Sequence, residues 1–535
     1  MTEIIPDLII SDWVAQHTRQ RPDAIALALH ETGATVTWAE LERRVAALAG
    51  ALRDGWGVGP GDRVALVAEN DPRLLEVQFA CMRIRAVFMP LNWRLTAAEL
   101  AVQLADADVA AVIHDSEWSA LVDDLAIPVP RACWDEPAYE ELLAAAVPVP
   151  GGDLDPDAVT HLLYTSGTTG LPKGVLCTNR TLVTHAQNLA HTSRMAERDQ
   201  HHLNVVPWFH AGGLNVFTNA MLFWGGRVTT VRRYDPAVTL GLLADPELRI
   251  THICGVLQTF EWLVRHDDFA AVRFPTLHTV LFGGWGPSTH EIVHAMRDRG
   301  VRVQLSWGAS ELGPLVTVLS RPDDAATDAG SSGTVVPHTR LRIVAPDGTD
   351  VKPGEVGELW VRGGAVTPGY WRRPRAEAFE GPWFRTGDAG RMDEGGHVYI
   401  VGRVKEMYRS GGENVYPAEV ENVLVDLPGV VELTVVGVPD ERWGETGLLA
   451  VVLAPGASLT LADVQALATG RLARFKHPSH LLVLDVMPRS ATAKISRAAI
   501  RELFLADPKA GAGVPVARGI LAGGVPGPAP RFSEP

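Results

Sequence analysis

Hydrophobic and polar positions along this chain follow two rhythms, and the texture changes twice. Short, dense apolar runs stand at 63–68, 109–114, 203–206, 279–282 and 301–305. Between the first two, residues 74–86 carry apolar side chains at helical spacing. Runs of four to six residues this rich in Val, Leu and Ile suit strands buried on both faces. Strands alternating with helices predict parallel sheets covered by helices. After residue 330 the runs shorten, as at 357–362, and Gly/Pro turns separate them, which predicts a small β subdomain. Past Arg403-Val404-Lys405-Glu406 a compact module follows. It has a helix at 418–427, strands at 430–438 and 447–452, and a helix at 461–472. From about residue 510 Gly, Pro and Ala dominate, which predicts a disordered tail. A Pro/Gly/Asp-rich break at 148–156 reads as a surface connection.

The expected organisation is an N-terminal domain over 1–403, a C-terminal domain over 404–509 and a tail over 510–535. The fold class is α/β. The large domain holds stacked, mostly parallel sheets with helices and a small β subdomain, and the small C-terminal domain is α+β.

Composition narrows the function classes. A chain of 535 residues is too long for one core. Its 46% hydrophobic and 21% charged content is that of an ordinary globular protein. A net charge of −15 argues against a nucleic-acid surface and leaves room for small anions held at local basic points. No apolar run reaches the length of about 18 residues that a membrane span needs. The first residues lack a signal-peptide pattern, so a cytoplasmic location is expected. Cys81, Cys133, Cys177 and Cys254 are scattered without a CxxC pair, which predicts packing roles and neither zinc nor a disulfide framework.

The stretch from Tyr164 to Gly174, YTSGTTGLPKG, carries the densest chemistry. Glycines at 167, 170 and 174 let the backbone approach a ligand. Thr165, Ser166, Thr168 and Thr169 add hydroxyls, and Lys173 adds positive charge. Such a loop can wrap a polyphosphate. It is not a Walker A loop, because no Gly-Lys-Ser/Thr stands at the required spacing.

This string resembles the phosphate loop of the adenylate-forming superfamily, the acyl- and aryl-CoA synthetases, peptide-synthetase adenylation domains and luciferases. The resemblance runs from about residue 10 to about residue 505. It implies that Thr165, Ser166, Gly167, Thr168, Thr169 and Lys173 hold the phosphates of ATP. Ser306-Trp307-Gly308-Ala309-Ser310-Glu311 resembles the family's aromatic-Gly-x-Thr-Glu motif, with Ser310 for Thr. It implies that Trp307 and Gly308 pack on adenine and that Glu311, with Thr168, holds Mg²⁺. Trp383-Phe384-Arg385-Thr386-Gly387-Asp388 is similar to the ribose motif, with Asp388 on the hydroxyls and Arg403 as a further contact. Gly283-Gly284-Trp285-Gly286-Pro287 stands where the family has its adenine loop, with Trp285 in place of a small residue. Pro207-Trp208-Phe209-His210 resembles the segment lining the acyl pocket, which implies a pocket bordered by Trp208, His210, Gly283 and Trp285. His210 either gates the thiol's route or simply packs. Asn179 stands where the family often has His.

In the C-terminal part, Arg409-Ser410-Gly411-Gly412-Glu413-Asn414 resembles the segment lining the pantetheine path, so Arg409, Gly411 and Gly412 are the expected CoA side. Glu419 and Glu421 read equally well as helix-leading residues without a ligand. Pro488 to Ile495 resembles the motif of the catalytic lysine, with Lys494 as that lysine and Ala493 for the usual Gly. Lys405 matches the hinge about which the family's small domain rotates.

The resemblance implies a two-step reaction. A carboxylate attacks the α-phosphorus of MgATP to give an acyl-adenylate and pyrophosphate. A thiol then attacks the acyl carbon and AMP leaves. The expected substrates are an organic acid, ATP and CoA. A carrier-protein thiol, an amine or nitrite stands as the alternative acceptor, and a catalytically silent nucleotide-binding protein as the remote one. The apolar stretch 253–263, with Trp208, Phe209 and Trp285, points to an aryl, arylacrylic or medium-chain acid. The oligomeric state stays open, a homodimer included.

Overall fold

The computed structural model describes residues 8–165, 172–197, 199–285, 288–319, 326–327, 329–489 and 495–506. The chain divides into two compact units, Met1–Ile400 and Val401–Pro535. The division falls just ahead of the one expected after residue 403, and the expected tail lies outside the described residues.

Two large sheets organise the first unit. One has six strands in the order Lys173–Thr178, Val159–Thr165, Val87–Pro90, Arg63–Val67, Ala111–His114 and Arg131–Cys133. All pair in parallel except the first two, which form an antiparallel hairpin. The other has nine strands. Arg302–Trp307, Thr279–Gly283, His252–Val256, His201–Asn204, Arg227–Thr230 and Ile25–Leu29 run parallel through its middle, with short antiparallel strands at both ends.

Side-chain alternation along these strands builds the layers. Val64 and Leu66 share a core with helices Trp38–Gly50 and Pro72–Arg83, and with Leu27, Val228 and Leu281 of the nine-stranded sheet. Ala65 and Val67 face the other way, onto Leu100 and Leu104 of helix Ala97–Ala107. In the second sheet, Val280 and Phe282 face outward onto Phe260 and Ile292 while Leu281 faces the shared core. Helices therefore lie between the sheets and on both outer faces. Near-continuous apolar strands are what two covered faces require.

A five-stranded antiparallel sheet completes the unit, with Thr339–Val344, Gly357–Gly363, Trp383–Met392, Phe379–Glu380 and the start of Val398–Arg403. The second unit has its own five-stranded sheet. Leu449 and Val451 face helices Pro417–Leu424 and Leu461–Ala468. Leu448 and Ala450 face helix Arg497–Ala506 on the opposite side. The expected α/β architecture, a large unit with a β subdomain followed by a small α+β unit, is present.

Several expected elements shift at their ends, among them the helices expected at 74–86 and 418–427, which are Pro72–Arg83 and Pro417–Leu424. The strand expected at 203–206 is His201–Asn204. Its histidine pair looks polar in sequence but is buried. His201 bonds the Leu248 carbonyl at 2.7 Å and Thr229 Oγ1 at 2.7 Å, which lets the ring enter the interior. The helix expected at 461–472 stops at Ala468, because Gly470 turns the chain at φ +79°. All four cysteines are buried and unpaired. Among the described residues no helix is long and apolar enough to cross a membrane.

Candidate active site

The hairpin strands Val159–Thr165 and Lys173–Thr178 pair antiparallel and flank the segment expected to hold phosphate. Thr165 and Lys173 pair directly at its mouth, and Thr165 Oγ1 donates to the Lys173 carbonyl at 3.5 Å. Ser166, Gly167, Thr168 and Thr169 lie outside the described residues. Gly174 is dictated by packing, since a Cβ there would stand 2.6 Å from the Leu162 side chain.

A strap over 367–371 crosses the outer edge of this hairpin. Val175 bridges Tyr370, Leu176 N–H donates to the Gly369 carbonyl at 3.2 Å, and Trp371 N–H donates to the Gly174 carbonyl at 2.8 Å. The strap also holds the turn that carries Glu311, a short helix over Ser310–Leu312. Thr367 N–H donates to the Glu311 carbonyl at 2.8 Å, and the Tyr370 hydroxyl donates to Glu311 Oε1 at 2.8 Å. The Lys173 ammonium lies 5.1 Å from the centre of the Tyr370 ring. Lys173, Tyr370 and Glu311 thus form one constellation. Behind it Cys177 is buried, and burial together with the nearby Glu311 charge pushes its thiol up to about 12.

Trp307 heads the same turn. Its indole N–H donates to Asp388 Oδ2 at 2.9 Å, and both residues are buried. Asp388 N–H is held by Thr386 Oγ1 at 3.0 Å. The expected adenine ring and ribose carboxylate are therefore tied directly to each other. Gly308 cannot carry a side chain, because a Cβ would stand 1.9 Å from the Pro314 carbonyl oxygen.

Gly283 ends its strand opposite Ser306. Gly284 follows at φ +93° and directs the chain away from the sheet. The Trp285 ring packs edge-on to His290 at 5.2 Å and lies against Gly330, and Gly286 lies outside the described residues. Trp208 departs from expectation. Its ring is 1% exposed, with the indole N–H on Thr218 Oγ1 at 3.0 Å, so it is sealed in the core rather than open to a pocket. His210 is exposed and packs against Phe209 with ring centres 4.5 Å apart. Asn70 positions this loop: its amide donates to the Val206 and Val231 carbonyls, and its oxygen accepts from Trp208 N–H at 2.9 Å. The stretch 253–263 is mostly core, with Ile253, Phe260 and Leu263 fully buried, while Val256 and Trp262 are exposed. Asn179 is buried at a helix start and donates to the Asp155 carbonyl at 2.8 Å.

Among the described residues, no group of three or more His, Cys, Asp or Glu could hold a metal ion by itself. That fits Mg²⁺ brought with a nucleotide, which takes one or two protein carboxylates and completes its shell with phosphate and water. Glu311 offers a hard oxygen donor. Its Oε1 accepts from the Tyr370 hydroxyl.

Known proteins resemble this chain in sequence and in fold. An AMP-binding enzyme family model matches residues 14–371, and the AMP-binding enzyme C-terminal domain matches 419–494. This chain belongs to the AMP-binding enzyme family. It is 37% identical to a feruloyl-CoA synthase of Amycolatopsis sp over 501 residues, covering 92% of this chain and 99% of that protein. It is 35% identical to an indoleacetate–CoA ligase of Aromatoleum aromaticum over 509 residues, covering 92% and 98%. The o-succinylbenzoate CoA synthetase MenE of Bacillus subtilis is 28% identical in two solved complexes. With the acyl-adenylate intermediate OSB-AMP the TM-score is 0.81, covering 92% of this chain and 98% of that one. With ATP and magnesium ion it is 0.80, covering 92% and 99%.

In the second unit of this family member, Arg409 sits on strand Tyr408–Ser410, paired with Asn414, and its N–H donates to Glu445 at 3.0 Å. Gly411 and Gly412 form the two-residue turn of a hairpin in which Ser410 faces Glu413. Their φ values of +62° and +89° are the left-handed pair that such a turn demands. Gly411 N–H donates to the Trp443 carbonyl at 2.9 Å, and a Cβ on Gly411 would stand 2.9 Å from the Trp443 ring. Arg403 precedes a short helix, Val404–Glu406, that contains Lys405, and both side chains are exposed. Glu421 accepts from Thr434, Val435 N–H and Arg497, and Glu419 pairs with Lys476. Lys494 and Ala493 lie outside the described residues; their flanks, Arg489 and Ile495, pair antiparallel.

Sequence reasoning missed Tyr370 and Asn70. Each acts on residues distant along the chain.

Proposed function

We propose that this protein is an AMP-forming acid–CoA ligase acting on an aryl or arylacrylic acid. The observation that carries the reading is the Lys173–Tyr370–Glu311 constellation at the mouth of the phosphate hairpin, in a chain that matches both domains of the AMP-binding enzyme family. The relatives' named substrates, feruloyl and indoleacetate, support an aromatic acid.

Catalysis in this reading is positioning and charge neutralisation, since the substrate carboxylate is itself the nucleophile. Magnesium bound with ATP supplies positive charge at the β and γ phosphates. Lys173 and the loop hydroxyls hold those phosphates, and Glu311 fixes the metal side. Asp388, oriented by Trp307, accepts from the ribose hydroxyls, with Arg403 as a further contact. Lys494 screens the carboxylate against the α-phosphate; like charges about 4 Å apart repel by about 1 kcal/mol in water and several-fold more in a drier site. Gly283, Trp285 and His210 border the acid. The Gly411–Gly412 hairpin, beside Arg409, receives the pantetheine arm in the second step. Lys494 and this hairpin serve different half-reactions, so the second unit turns about Lys405 between them.

The test is a panel of ferulate, indoleacetate, benzoate, malonate and octanoate with MgATP and CoA, with AMP and acyl-CoA read by mass spectrometry. Equal amounts of AMP and an aryl-CoA are expected. AMP without acyl-CoA would redirect the second step to another acceptor. No AMP with any acid would sink the reading.

A further inference from the structure

Tyr370 stands between the two charged groups of the phosphate site, and its contacts are unusual in being made with both. Its hydroxyl donates to Glu311 Oε1 at 2.8 Å, and its ring face lies 5.1 Å from the Lys173 ammonium. Lys173 and Glu311 make no ion pair with each other. Two long, flexible side chains of opposite charge that both reach one tyrosine would otherwise be drawn together, because attraction between unit charges rises steeply as water is excluded. Such a pair would neutralise the cation meant for phosphate and the anion meant for metal before the nucleotide arrives.

We propose that Tyr370 is a positioning residue of the nucleotide site, an interposed ring that keeps Lys173 and Glu311 apart and orients each toward MgATP. The inference rests on the adenylate-forming reading above. The tyrosine does this by two different forces. A cation over an aromatic face is held without a counter-ion. A hydroxyl donating to a carboxylate fixes one oxygen and leaves the other for the metal.

The tyrosine is itself fixed from behind. The strap is stitched to the hairpin at Val175, Leu176 and Gly174, and Thr367 Oγ1 lies 2.7 Å from both the Leu176 and Gly369 carbonyls, to one of which its single hydroxyl proton is donated. Next along the strap, the Trp371 indole donates to the Asp106 carbonyl at 3.0 Å. The Asp106 side chain accepts from the Tyr164 hydroxyl at 2.6 Å. Both sides of the hairpin and the Glu311 turn are thus referred to one strap, so a displacement of Tyr370 would move both charges at once.

The experiment reads metal binding directly, without an acid. Mn²⁺ affinity is measured by electron paramagnetic resonance in the presence of a non-hydrolysable ATP analogue, with AMP affinity measured alongside in metal-free buffer. Tyr370→Phe keeps the ring and deletes the hydroxyl. It is expected to weaken Mn²⁺ about tenfold, the usual scale for losing a partner that orients a metal-binding carboxylate, and to leave AMP affinity unchanged. Glu311→Gln keeps the acceptor and removes the charge. It must weaken Mn²⁺ at least as much, and Tyr370→Phe added to it must weaken it no further. Mn²⁺ affinity within twofold of wild type in either single variant, additive losses in the double variant, or a parallel loss of AMP binding would overturn the proposal. Because no acid takes part, failure to find a substrate would reject the functional reading and leave this result standing.

Discussion

At the residue scale, the hydrogen bond between Trp307 and Asp388 has the sharpest consequence. A buried carboxylate oxygen accepts from an indole N–H at 2.9 Å, so the side chain expected to meet adenine also aims the one expected to meet ribose. Trp307→Phe preserves an aromatic face and removes the donor. A hydrogen bond to a charged group contributes about 1.5–3 kcal/mol, so KM for ATP should rise at least about tenfold with a smaller change in kcat. Steady-state kinetics with saturating acid and CoA checks this, and an unchanged KM would mean that Asp388 is oriented by something else. Trp307 and Asp388 were legible in the sequence because each sits inside a compact motif. Tyr370 was not. It is separated from Glu311 by 59 positions and acts on Lys173 across the hairpin, so no local spacing announces it. Trp208 was legible as an aromatic beside His210, but its burial was not. Nothing in the sequence foretells the Asn70 and Thr218 partners that draw it inward.

Elements were easiest to read where a strand is apolar on both faces, as at Arg63–Val67 and Thr279–Gly283. They were hardest where polar side chains are paired in the interior, as at His201–Asn204. The Gly411–Gly412 hairpin shows a third case, in which a motif was recognised but its geometry was hidden. The paired glycines satisfy a turn with two left-handed residues, and Gly411 packs against the Trp443 ring. Gly412 is open, with nothing within 4 Å of an added Cβ, so a bulky side chain there meets only what approaches from outside. Gly412→Leu is expected to strain the turn by about 1–3 kcal/mol and to slow acyl-CoA formation from supplied acyl-adenylate at least tenfold. It should leave ATP–pyrophosphate exchange within a fewfold of wild type. Equal losses in both half-reactions would remove the hairpin from the CoA side.

At the scale of the whole molecule, the interior of the first unit is rich in neutral histidine. Burial lowers His161 and His185 to about 4, and His201, His202 and His252 to about 3. Their folded values lie below the unfolded value of about 6.5. Above pH 6.5 both states are neutral and stability is complete. As pH falls below 6.5 the unfolded chain takes up protons that the folded one refuses. Each histidine then costs up to about 1.4 kcal/mol per pH unit until its folded value is reached. Asp115, raised to about 6 by burial, and Glu76, also raised by burial, oppose this between their unfolded and folded values but are fewer than the histidines. Thermal melts should therefore fall steeply from pH 7 to pH 5; a flat profile would show that the histidines are reached by water.

The central claim concerns where one oxygen goes. If the acid's carboxylate attacks the α-phosphorus and a thiol later breaks the bond between acyl carbon and bridging oxygen, that oxygen leaves with AMP. Turnover of an aryl acid carrying ¹⁸O in both carboxylate positions, with ATP and CoA, should give AMP with one heavy oxygen in its phosphate and an acyl-CoA that retains the other. Unlabelled AMP, or label in inorganic phosphate accompanied by ADP, would contradict the account.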